Sequence, residues 1–363
     1  MARVLLSPLN WGLGHAMRDV PIIKTLLAHG HDVTVAACGN ALTALQREFP
    51  SCRFIKFEDY PSPYSSGRFF LPKLSVYFPV LLRAVARERR ETGRILSHDH
   101  YDLVISDNRL GIYSPHVPSL FITHQLHFHL PPALWPVELF TSVLNRFHHG
   151  KFERIIVPDN PPGPLSLAGK LSRPDSDIAR SRAFFCGILT STPKKQDVPA
   201  DLDYLVLISG PEPQRTRLEE ILLPMTRELD GRSVVLLGSP QRKCDVAGSG
   251  DCSVRTYVTN DEKAMLMNRA KFVICRSGYT TMMELAELGK KAGLFIPTPG
   301  QTEQEYLSWY YQQKGWFFSK SQYRLDLPGD ICNARKYTGF PEMPGTEANV
   351  SRLYENVLAG YLE

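Results

Sequence analysis

Four short stretches of the sequence combine residue types that could do chemistry. The first is Asn10-Trp11-Gly12-Leu13-Gly14-His15. Glycines between a strand and a helix let a ligand approach the backbone, and the helix N-terminus favours an anion. His15 adds a side chain suited to proton transfer near neutral pH, unless it only caps the helix. The third glycine of a dinucleotide fingerprint is missing, because position 17 is Met, and no acid closes the next strand at Ala36-Ala37-Cys38-Gly39. Both absences argue against a nicotinamide site. The second stretch is Cys275-Arg276-Ser277-Gly278-Tyr279-Thr280-Thr281. Hydroxyls and backbone N–H groups at a strand-to-helix turn suit a phosphate. Glu284, one turn on, is placed to accept two ribose hydroxyl hydrogens; the bland alternative for the turn is a helix cap. The third is Pro297-Thr298-Pro299-Gly300-Gln301-Thr302-Glu303-Gln304, where an acid beside an amide could hold sugar hydroxyls. Thr302 as N-cap with Glu305 as its capping-box partner would serve the helix at the same place. The fourth is Thr123-His124-Gln125-Leu126-His127-Phe128-His129, followed later by His148-His149. His127 and His129 would share one strand face, yet no Cys or carboxylate falls at ligand spacing, which argues against zinc. Asp107 closes an apolar run, and strand C-terminal ends are where open α/β sheets bind ligands.

These stretches need elements to position them. Apolar runs at 3–8, 31–37, 52–57, 101–107, 119–125 and 152–159 read as strands. Between them, helical spacing predicts helices over 16–29, 41–49, 73–99 and 133–149, with a break or kink near Pro79. Residues 160–182 are polar and rich in Pro, Ser and Arg. A second series starts at 203–210 and alternates strands (233–239, 253–258, 271–278, 291–298) with helices (213–229, 261–270, 280–289, 302–315), before a last helix at 347–362. Alternation of this kind predicts α/β architecture with mostly parallel sheets.

Composition sets outer limits. The 363 residues suit two domains. Hydrophobic residues at 43% and charged residues at 22% exclude a fibrous or wholly disordered chain. A net charge of +5 fits an anionic ligand or an anionic membrane surface, and is too dilute to indicate nucleic acid. No apolar run is long enough to span a membrane, and the N-terminus does not read as a signal peptide. Seven cysteines, an odd number without a Cys-x-x-Cys pair, read as reduced thiols of a cytoplasmic protein.

The second and third stretches lie on one β-α-β unit, and the first lies in the other half of the chain. In that order they resemble the GT-B nucleotide-sugar glycosyltransferases, and look closest to the family 28 group that includes the lipid-linked peptidoglycan N-acetylglucosaminyltransferase. The resemblance is strongest over 255–308. It implies an α/β fold of two Rossmann-like domains facing a cleft: an acceptor domain at 1–192, a donor domain at 193–345, and a terminal helix at 346–363 returning to the first. It further implies inverting transfer of a hexose or N-acetylhexosamine from a UDP-sugar to an unidentified acceptor, without a cofactor or obligatory metal. Carried over, Arg276, Ser277, Gly278 and Thr280 would face the diphosphate and Glu284 the ribose. Val258 would meet the uracil edge, and Glu303 and Gln304 the donor sugar. Ser209 and Gly210 match a phosphate loop, although Pro211-Glu212-Pro213 replaces its glycines. Gly14 and His124 would lie on the acceptor side. His15 or Asp107 would be the base, with His15 preferred. A nucleotide-sugar 2-epimerase and a non-catalytic nucleotide-sugar-binding protein are the alternative readings. Residues 68–94 join apolar residues to arginines and suggest peripheral contact with an anionic membrane, or else core residues beside a solvated helix face.

Overall fold

The computed structural model describes residues 1–60, 70–127, 135–239 and 250–363. The chain forms two compact units, one of residues 1–191 with 344–363 and one of residues 192–343.

In the first unit the order is β1 (Arg3–Pro8), α1 (Leu13–Ala28), β2 (Asp32–Ala37), α2 (Gly39–Glu48), β3 (Arg53–Lys56) and α3 (Phe70–His98). Then follow β4 (Leu103–Asp107), β5 (Ser119–Ile122), α4 (Trp135–His149), β6 (Arg154–Val157), α5 (Asp177–Arg182) and β7 (Ala183–Phe185). The strands form one parallel sheet in the order β3-β2-β1-β4-β5-β6-β7. Strand order reverses between β1 and β4, where Pro8 lies opposite Asp107. Such a switch point opens a crevice at the strands' C-terminal ends. The near-continuous burial of β1, β2, β4 and β5 is what a parallel sheet covered on both faces requires.

In the second unit the order is β8 (Leu202–Leu207), α6 (Gln214–Thr226), β9 (Ser233–Leu236), β10 (Cys252–Arg255), α7 (Asn260–Arg269) and β11 (Ala270–Cys275). Then come α8 (Tyr279–Glu287), β12 (Gly293–Phe295), α9 (Thr302–Gln313), β13 (Phe318–Ser319) and α10 (Leu327–Ala334). This sheet is also parallel, ordered β10-β9-β8-β11-β12-β13, with its switch point between β8 and β11. The chain ends in α11 (Thr346–Leu353), a π turn (Tyr354–Leu358) and α12 (Ala359–Leu362), which pack into the core of the first unit.

Several elements differ from the sequence expectation. Residues 160–182 hold α5, capped by the Ser176 hydroxyl accepting from the Ala179 N–H. The helix α3 runs unbroken through Pro79, which removes one donor while the rest of the helix carries on. β5 stops at Ile122, so His127 is not on a strand, and β10 stops at Arg255, so Val258 lies in a loop. β13 and α10 were not foreseen.

Candidate active site

Gly12 stands before α1 with φ +145°, in the region that favours glycine, and lets the chain turn sharply from β1 into the helix. Gly14 and His15 therefore lie in the first helical turn. His15 Nδ1 is 3.0 Å from Asp107 Oδ1 at the end of β4. Asp107 is fully buried while the His15 side chain keeps 19% of its exposure. Arg18, next on the same helix face, donates from Nε to Asp107 Oδ2 at 2.8 Å and from Nη2 to Oδ1. Its Nη1 lies 3.3 Å from Nδ1 of the buried His124, beyond the end of β5. Burial opposes the charge on Asp107, and Arg18 and then His15 overcome it, holding the carboxyl well below the usual range. Asp19, equally buried, goes the other way. Burial and then the neighbouring Asp107 charge keep its carboxyl well above the usual range. Two buried carboxyls side by side are thus shifted in opposite directions. Sequence reasoning found His15, Asp107 and His124 but missed Arg18 and Asp19.

The other histidines have structural surroundings. His127 Nδ1 sits 3.6 Å from Asp175. His129 lies outside the described residues. His148 Nε2 bonds the Leu110 carbonyl at 3.0 Å, and burial pushes His148 down to about 3 and His149 down to about 4. Both are neutral core side chains at ordinary pH.

In the second unit, Ser209 and Gly210 are exposed beyond β8, and Gly210 adopts φ +118°. Arg276 is buried. Its Nη1 donates to the carbonyls of Ile296 (3.1 Å) and Pro297 (3.0 Å), and its Nη2 to that of Gln214 (3.1 Å). Burial pushes Arg276 down to about 10, and no carboxylate pairs with it among the described residues. Gly278 is the N-cap of α8, and Thr280 is half-buried in the first turn, where backbone N–H groups lack helical partners. The Ser277 hydroxyl, expected to face a diphosphate, turns away from solvent. It donates to the Gln304 carbonyl at 2.9 Å and accepts from Ser308 Oγ at 2.9 Å, so it ties β11 to α9. Gln304 Oε1 accepts the Thr298 N–H at 2.9 Å, and Glu303 is half-buried beside it. The expected capping box is absent: Gln301 is the N-cap of α9, and Glu305 accepts from the Gly300 N–H at 2.9 Å. Val258 is half-buried just before α7, whose box is formed by Thr259 and Glu262. Buried Glu284 takes Lys263 Nζ on both oxygens, at 2.8 and 2.7 Å, and the Thr192 hydroxyl at 3.0 Å. Sequence reasoning missed Lys263 and Thr192.

Residues 238–315, which span β11, α8, β12 and α9, match the glycosyltransferase family 28 C-terminal domain. The chain has the GT-B fold, and this one stretch of it is similar to the family 28 C-terminal domain. It is 27% identical over 205 residues to an uncharacterised glycosyltransferase of Methanosarcina mazei. That match covers 52% of this chain and 51% of the relative, so it spans about half the length of each. Among solved structures, the spinosyn rhamnosyltransferase SpnG complexed with thymidine diphosphate superposes with TM-score 0.60 at 15% identity, covering 99% of this chain and 96% of that one. MurG of Acinetobacter baumannii superposes with TM-score 0.52 at 14% identity, covering 99% and 98%. These likenesses establish the fold. Of the residues considered above, Val258, Arg276, Ser277, Gly278, Thr280, Glu284, Glu303 and Gln304 lie inside the family 28-like stretch, and Ser209 and Gly210 precede it.

Proposed function

We propose that this chain is a glycosyltransferase that moves a hexose or N-acetylhexosamine from a UDP-sugar to an acceptor hydroxyl, with inversion at the anomeric carbon. The observation that carries the reading is the His15–Asp107 pair. An ionised carboxylate facing Nδ1 fixes the proton on that nitrogen and leaves the Nε2 lone pair free. The acceptor hydroxyl gives its proton to Nε2 as its oxygen bonds the anomeric carbon, and the bond from that carbon to the diphosphate oxygen breaks, releasing UDP. Asp107 is the poorer base. It is fully buried, and Arg18 and His15 take three of its lone-pair positions. Its role is to orient the imidazole and to balance the imidazolium as it forms.

The leaving diphosphate would meet the N-terminus of α8 and the unpaired positive charge of Arg276, both of which favour developing negative charge. Arg276 acts through the field from behind the turn, since its terminal nitrogens are bonded to carbonyls. The thymidine diphosphate held by SpnG supports a nucleoside diphosphate leaving group. His15→Ala should lower turnover of the bound complex by about 10²–10⁴-fold with donor affinity retained. Collapse of donor affinity with turnover of the bound complex intact would make His15 a phosphate or structural residue. Asp107→Asn is the companion variant, and a loss larger than that of His15→Ala would move the base role to Asp107. Product analysis with donor alone separates transfer from epimerisation.

A further inference from the structure

Arg18 is 1% exposed and holds Asp107 with two of its nitrogens, Nε on Oδ2 at 2.8 Å and Nη2 on Oδ1. Oδ1 is also the oxygen that lies 3.0 Å from His15 Nδ1. The third nitrogen, Nη1, lies 3.3 Å from His124 Nδ1. A guanidinium keeps its proton in proteins, so a permanent cation sits on the very oxygen that His15 uses. The other titratable groups packed around this pair are Asp19 on α1, His124 beyond β5 and Cys186 just past β7. Burial shifts the Asp19 carboxyl well up and the Cys186 thiol up to about 12, both toward the uncharged form. Arg18 is therefore the group that answers the Asp107 charge from the buried side.

This bears on what Asp107 does to His15. A lone carboxylate beside an imidazole orients the ring, but it also favours the protonated ring, which has no lone pair left to take a proton. A second cation on the same carboxylate opposes the protonation and leaves the orientation in place.

We propose that Arg18 is a positioning residue for the transfer: it takes up the charge of Asp107, so that Asp107 orients the His15 ring without holding it in the protonated form. The proposal rests on the reading of His15 as the base and assigns Arg18 its part in that reading.

The test is the pH profile of kcat for the full chain and for Arg18→Met, with an NMR titration of the His15 ring alongside. In Arg18→Met the acid limb should move to higher pH by at least about one unit, so that the rate loss is about tenfold greater below the limb than above it. Arg18→Lys keeps a cation at this place and should bring the limb back toward that of the wild type. Arg18→Met combined with Asp107→Asn leaves neither charge in the core, and keeps the test open if Arg18→Met alone does not fold. In that double variant the His15 ring should take up its proton about one pH unit higher than in Asp107→Asn alone, where Arg18 stands uncompensated. A rate loss equal at every pH, or a ring titration that loss of Arg18 leaves unmoved or moves downward, overturns the proposal and makes Arg18 a structural residue. The ring titration needs no turnover, so failure of His15 as the base and failure of this proposal are separate results.

Discussion

Among the described residues Asp107 holds one nitrogen of the His15 imidazole and Arg18 holds Asp107, and sequence patterns describe these two residues unequally. Asp107 was legible, because a short apolar run ending in an acid marks a strand's C-terminal end. Arg18 was not, because an arginine three positions along a helix reads as a solvated side chain until β4 is seen to lie beside β1, with β5 next to it. The hydroxyl of Ser277 shows the converse limit. Its residue type and turn suggested a phosphate ligand, but the packing of α9 against β11 uses it instead. Ser277→Ala should therefore cost about 1–3 kcal/mol of stability, the range for leaving a buried partner unsatisfied. UDP affinity should stay unchanged, and a Ser277→Ala protein of native stability that no longer binds UDP would return the hydroxyl to the phosphate. The neutral histidines of α4 carry a second residue-scale expectation. Their folded values, about 3 for His148 and about 4 for His149, lie below the ordinary 6.5. The unfolded chain takes up these protons first as pH falls, so stability is complete above about 6.5 and declines toward 4. At pH 5 each site contributes a loss of about 2 kcal/mol. His149→Phe should flatten the fall of melting temperature between pH 7 and 5, and an unchanged slope would place the acid sensitivity elsewhere.

At the scale of elements, the long or strongly apolar pieces were readable and the short polar ones were not. β1, β4, β8 and β11 announce themselves as apolar runs, and α1, α3 and α9 as periodic stretches. α5 has six residues, most of them polar, and is held by one serine cap. β13 has two residues and exists as a strand only because β12 offers it an edge. α10 carried a usable signal, since a proline in the first turn is a helix-start mark. The helix α3 is the element with the clearest unanswered face. Glu88, Thr92 and Ile95 point inward, and Glu88 pairs with buried Arg109 at 2.6 Å. Arg83, Arg87, Arg90 and Arg94 are exposed along one stripe, with Val80 and Leu82 exposed nearby. Two of these arginines have acidic partners, Glu58 for Arg87 and Glu91 for Arg94. Residues 68 and 69 of the proposed membrane segment lie outside the described residues. No described helix is long and apolar enough to cross a membrane, so the contact proposed is peripheral. At about 1 kcal/mol per well-placed basic side chain, the stripe predicts weak binding to anionic vesicles that fades with salt. Co-sedimentation with neutral and anionic liposomes at low and high salt reads this directly. Binding that needs anionic lipid supports a lipid-linked acceptor, and no binding in any condition leaves α3 a solvated face and favours a soluble acceptor.

At the scale of the whole molecule, the first unit is assembled from two separated pieces of chain, and its core depends on the second. Six side chains from the C-terminal segment, Val350, Leu353, Tyr354, Val357, Leu358 and Leu362, join the cluster formed by α1, β1 and β2. Asn349 Nδ2 bonds the carbonyls of Ile188 and Pro344, both at 3.0 Å, and Arg352 bonds those of Phe185 (3.2 Å) and Cys186 (2.9 Å). Asn349 also packs against Gly187, where an added Cβ would sit 2.5 Å from its amide. At about 1.5–3 kcal/mol per buried apolar side chain, removing this segment forfeits on the order of 10 kcal/mol. A domain's whole stability is about 5–15 kcal/mol. Truncation after Met343 should therefore unfold the first unit. The second unit has its own sheet and its own core of Val206, Val235, Phe272, Ile274 and Leu294, and should remain folded. Hydrogen exchange of the truncated chain distinguishes the outcomes. Amides of residues 1–191 should lose protection while those of residues 192–343 keep it, and the nucleotide-induced rise in melting temperature should survive, because every residue assigned to the donor lies in the second unit. Retained protection across 1–191 would show that the terminal helices decorate a core complete without them. Loss throughout 192–343 as well would show that the two units fold as one cooperative body.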